Sequence, residues 1–157
     1  MLFFKRFFYF TITLIVIISN GFVSSAMAAK ILPLTVYKQM LAGNVDSGWV
    51  AFRNYDGKQL VYFSILQTLR CRIKEVRVSF NTTALDNRLT LLPCNEENPF
   101  AVPSTLEATQ YLYITFDPNS VATAAVQVTW EDDTQSEMLQ FRPCKDVGDQ
   151  TCAHKLN

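Results

Sequence analysis

His154 is the only histidine of the chain and stands three residues from the C-terminus, in Thr151-Cys152-Ala153-His154-Lys155. A serine or cysteine hydrolase of the usual kind needs a base oriented beside its nucleophile. A tail histidine offers no such neighbour, so the expectation is a solvated side chain. No G-x-S-x-G elbow, H-E-x-x-H pair or dinucleotide fingerprint occurs, and five glycines in the whole chain leave little material for a phosphate-cradling loop. Carboxylates do cluster, in Glu131-Asp132-Asp133 and in Glu96-Glu97. A glycosidase holds two carboxylates at a set separation across a cleft, one with a raised pKa. A hairpin tip and a Pro-flanked loop meet neither condition. Calcium would want spaced oxygen ligands around a glycine turn, which both runs lack. The reading is a non-enzymatic protein without a cofactor or a metal; an unrecognised hydrolase is the alternative that activity dependent on His154 would reveal.

Two other groups point to binding. Arg70, Arg72 and Lys74 follow Leu69, and on an extended chain they share one face, opposite Cys71 and Ile73. Val76, Val78 and Phe80 then inherit the same parity, so a bulge or bend near Lys74–Glu75 is needed to keep the basic side wet. Such a face suits an acidic partner or an anionic glycan; otherwise it is a charged edge that deters sheet-to-sheet pairing. Tyr111 and Tyr113 alternate with Leu112, Ile114 and Phe116, so the two tyrosines project together if the latter three face the core. The expected function is a binding or accessory domain that contacts a protein partner through a sheet face or edge. Tyr111 and Tyr113 are the first candidate contacts, and Arg70, Arg72 and Lys74 the second. A carbohydrate-binding module using the same aromatics is the alternative.

The four cysteines are Cys71, Cys94, Cys144 and Cys152. An even count without any C-x-x-C spacing argues for two disulfides rather than for redox exchange or zinc. Sequence proximity favours Cys71–Cys94 and Cys144–Cys152. The N-terminus agrees with an oxidising destination. Lys5-Arg6, an uncharged apolar run from Phe7 to Ile18, and Ala26-Met27-Ala28 form the three-part secretory pattern. Residues 1–28 are therefore expected to be a signal peptide cut after Ala28, with Ala26 as second choice. An uncleaved anchor is the rival reading. Residues 29–157 are then one exported domain of about 129 residues, periplasmic or secreted. The style of the signal reads as bacterial, which makes the glycosylation acceptor Asn81-Thr82-Thr83 incidental. Nothing after the signal is long and apolar enough to cross a membrane. The 14 basic and 14 acidic side chains balance, and a neutral surface argues against a general nucleic-acid binder.

Short period-2 segments must position these residues. Trp49–Arg53 and Leu60–Ile65 flank Asp56-Gly57, a tight-hairpin signal. Val76–Phe80 and Leu112–Phe116 alternate as half-buried strands, the second broken by Asp117-Pro118-Asn119-Ser120. Val126–Trp130 and Leu139–Phe141 read as a second hairpin with the acidic triplet at its tip. Residues 35–42 suit a short helix or an edge strand. Six or seven short strands with turns about every ten residues predict an all-β fold: a single antiparallel sandwich, immunoglobulin- or fibronectin-III-like, stapled by disulfides.

Overall fold

The computed structural model describes residues 31–46, 48–145 and 150–156; the expected signal peptide lies outside them. The chain begins with a helix, α1 (Leu34–Gly43), so residues 35–42 are helical, with Tyr37 and Leu41 buried one turn apart. Strands β1 (Ala51–Tyr55) and β2 (Lys58–Tyr62) form the first hairpin. Tyr55 pairs with Lys58, and Asp56 and Gly57 take φ of 50° and 68°. Two consecutive positive φ values are what a two-residue hairpin turn demands. The apolar run from Leu60 to Ile65 does not continue as a strand, however. It turns at Phe63 into α2 (Ser64–Thr68), followed by a 3₁₀ turn over Arg70–Arg72.

The remaining strands are β3 (Ile73–Phe80), β4 (Asn87–Arg88), β5 (Tyr113–Phe116), β6 (Ala124–Trp130), β7 (Leu139–Pro143) and β8 (Ala153–Lys155). A four-residue helix, α3 (Leu106–Thr109), precedes β5; the Thr105 side chain caps it by accepting from the Ala108 N–H. All ladders are antiparallel. One sheet has the order β1-β2-β5 and the other β4-β3-β6-β7-β8. Phe52 of β1 exchanges both backbone hydrogen bonds with Cys152, at 3.0 Å each, which ties the first sheet to the β8 side of the second. Between the sheets lies a core of Val50, Phe52, Val61, Phe63, Val76, Val78, Val126, Val128 and Phe141, with α1 covering Trp49.

The disulfides are Cys71–Cys94 and Cys144–Cys152, the pairing that proximity favours. The first sits beside Arg70, which is 5 % exposed and donates to the carbonyls of Gln67, Pro93 and Ala101 at 2.8–2.9 Å. Guanidinium and disulfide together fasten the Pro-rich segment from Pro93 to Pro103 to the start of β3. Leu91, just before the segment, and Phe100 within it then reach the core, and Phe100 stacks on Tyr37 at 5.2 Å.

Candidate functional site

Two of the three cations singled out from the sequence, Arg72 and Lys74, pair with the acidic triplet. The β6–β7 hairpin turns through Glu131-Asp132-Asp133, where Asp133 takes φ 64° and the Trp130 N–H closes onto the Thr134 carbonyl at 2.9 Å. Each of the three carboxylates meets a cation from another element: Glu131 with Arg72 at 2.7 Å, Asp132 with Lys38 of α1 at 2.8 Å, and Asp133 with Lys74. The hydrogen bonds of Lys38 and Thr134 hold the Asp132 carboxyl at a pKa of about 2. These side chains are not one extended basic face. Arg70 and Arg72 lie in the 3₁₀ turn, where the Arg72 N–H bonds back to the Leu69 carbonyl. The register shift expected near Lys74–Glu75 is present: Ile73 faces Trp130 while Glu75 faces Thr129, leaving Lys74 as the extra residue. Arg70 is turned inward on backbone carbonyls, and burial lowers its pKa from the ordinary value.

Tyr111 and Tyr113 do come together, but not by strand alternation. Tyr111 lies in the turn after α3, its N–H bonded to the Ala108 carbonyl, and β5 begins only at Tyr113. Both line a groove of about 340 Å³ with Arg88, Leu89, Thr90 and Ile114, between the free edge of β5 and the segment around β4. On the outer face of the sheet Tyr113 meets Tyr62, centroids 5.0 Å apart, an aromatic neighbour that the sequence reading passed over. Register carried the signal for it, because Tyr62 stands directly across from Tyr113.

The closed end of the groove is pinned by a side chain that sequence reasoning missed. Gln67 is fully buried in α2, and its amide nitrogen donates to the carbonyls of both Thr90 and Tyr111, at 2.9 and 2.8 Å. Its amide oxygen accepts from the Leu92 N–H at 2.9 Å. One glutamine thus replaces ladder hydrogen bonds across the seam. Beyond it β4 and β5 belong to different sheets and share no ladder. A polar residue inside the apolar stretch Ile65-Leu66-Gln67-Thr68-Leu69 was the available signal.

The direction of the free β5 groups follows from hydrogen-bond phase. Phe52 spends its N–H and C=O on Cys152, away from β2. Opposite residues in antiparallel ladders alternate between bonded and non-bonded pairs. Val61, across from Phe52, therefore turns its groups toward β5, where its partner is Ile114. Phe63 donating to the Leu112 carbonyl at 2.8 Å keeps the same phase. The intervening residues Tyr113 and Thr115 point their N–H and C=O outward, along the groove.

No family model, curated protein or solved structure gives a significant match to this chain. Site chemistry alone informs function. Among the described residues no group of three His, Cys, Asp or Glu side chains is placed to hold a metal ion. His154 is exposed in β8, across from Arg142. Asn81 of the acceptor sequence takes φ 61° and is exposed, its amide donating to the Ser120 carbonyl and accepting from the Ala122 N–H at 2.7 Å.

Proposed function

We propose that the chain is an exported, non-enzymatic binding domain that holds an extended segment of a protein partner along the free edge of β5. The observation that carries this reading is the outward-facing pair of backbone groups at Tyr113 and Thr115, flanked by the groove of Tyr111, Ile114, Leu89 and Arg88. An added strand finds main-chain partners on β5 and side-chain pockets beside it, the arrangement that strand-addition binders use. Two disulfides among the described residues support a destination outside the reducing cytosol. With the basic start and Ala26-Met27-Ala28 ending, they support periplasmic or secreted localisation after cleavage at Ala28. The two facing sheets support a sandwich, and likeness to immunoglobulin or fibronectin-III domains belongs to this proposal.

The test uses proline as a backbone probe. Thr115→Pro removes one outward N–H while keeping the inward bonds of Ile114 and Phe116. Edge strands tolerate proline where the N–H faces outward. The partner is captured by mild crosslinking of the C-terminally tagged exported protein and identified by mass spectrometry. Thr115→Pro is expected to lower affinity for that partner at least about 10-fold in a folded protein. Affinity unchanged by the proline would remove the β5 edge from the account.

A further inference from the structure

The chain has two tryptophans, and both line one hollow. This hollow lies between α1 and the β6–β7 hairpin and shares no lining residue with the β5 groove. Its volume is about 410 Å³, with walls of Leu41, Val45, Trp49, Trp130 and Leu139. Concave apolar space with a few polar groups is the usual form of a small-molecule site, and this one is in the ordinary size range. At about 30 Å³ of liquid volume per water, it has room for roughly a dozen heavy atoms.

Charge narrows the chemistry of an occupant. Two ammonium groups line the hollow, Lys38 and Lys155, against the single carboxylate of Glu137. Lys38 is held in place by Asp132 and Thr134, at 2.8 and 2.7 Å. Lys155, exposed on β8, has no ion-pair partner among the described residues. The Trp49 indole N–H is spent on the Leu41 carbonyl at 2.8 Å. Trp130 is 3 % exposed, so its ring forms an enclosed wall of the hollow.

We propose that this hollow binds a small monocarboxylate with an apolar body, the body between Trp49 and Trp130 and the carboxylate at Lys155. The site is independent of strand addition at β5. Because the only two tryptophans are its walls, intrinsic fluorescence of the purified protein reports occupancy directly. Decanoate, decanol and decyltrimethylammonium present the same alkyl body with an anionic, a neutral and a cationic head. Titrated below their micellar concentrations, decanoate is expected to change the emission saturably and to bind at least about 10-fold tighter than decanol, with the cation weakest. Lys155→Ala, at an exposed position, is expected to bring decanoate down to the level of decanol. Ala42→Phe, on the exposed part of the α1 lining, is expected to fill the space and abolish the response to all three. Absence of a saturable change with decanoate would overturn the proposal. So would decanoate binding that Lys155→Ala leaves intact, or a preference for the neutral or cationic head.

Discussion

Arg70 is a full positive charge at 5 % exposure whose partners among the described residues are backbone carbonyls rather than a carboxylate. Its removal leaves those carbonyls dry, and buried groups without partners are costly. Arg70→Met is expected to lower stability by roughly 2–4 kcal/mol in urea unfolding, whereas a loss under about 0.5 kcal/mol would show that water replaces the guanidinium. Asp132 illustrates the opposite environment, a surface carboxylate depressed to about pKa 2 first by the Lys38 hydrogen bond and then by Thr134. Because the folded-state pKa lies below the unfolded one, the stabilisation is complete above the ordinary carboxylate range. It is lost as pH falls from about 4 through about 2. Lys38→Met is expected to move the Asp132 titration midpoint, followed by NMR, up toward about 3.9; a midpoint that stays near the folded value would assign the depression to Thr134 instead.

Strand β5 has two sides with different tolerances. Ile114 faces β2 with its backbone groups, and Thr115 faces away. Ile114→Pro is therefore expected to cost about 3 kcal/mol or more, and Thr115→Pro no more than about 1, in thermal or urea unfolding. Equal costs would mean that the hydrogen-bond phase is reversed. The Asp56-Gly57 turn, the alternation of Val76 to Phe80, the β6–β7 hairpin with its acidic tip and the bulge at Lys74 were all legible from pattern, because period 2 and positive-φ residues are local signals. The break at Phe63 was not, since an apolar run reads alike as buried strand or buried helix. Nor was the use of Arg70, Arg72 and Lys74. Apart from the Gln67 carbonyl beside Arg70, the partners named above lie 23 to 59 residues away in sequence, and pairing at such separations leaves no periodic trace. Tyr111 and Tyr113 were found as neighbours of one groove, although α3 rather than alternation brings Tyr111 there. Gln67 escaped because one polar residue in an apolar stretch is a weak signal until its three backbone partners are in view.

The described residues form two antiparallel sheets joined through Phe52 and Cys152 on one side and left open between β5 and β4 on the other. The Cys71–Cys94 bond and Arg70 hold the Pro-rich segment that borders the open side. Replacing both cysteines by serine is expected to destabilise by about 3 kcal/mol, from the entropy of a loop of this length. Urea midpoints of the two proteins under non-reducing conditions check this, and unchanged midpoints would mean that Arg70 alone secures the segment. Under the proposed function a partner strand enters the seam between β5 and β4, whose end Gln67 fixes. Amide hydrogen exchange, residue by residue, of the free protein and of its complex with the captured partner tests this most directly. Tyr113 and Thr115 are expected to exchange fast in the free protein and at least about 10-fold more slowly in the complex, with Ile114 protected in both. Protection on binding that appears elsewhere while Tyr113 and Thr115 remain fast would contradict it.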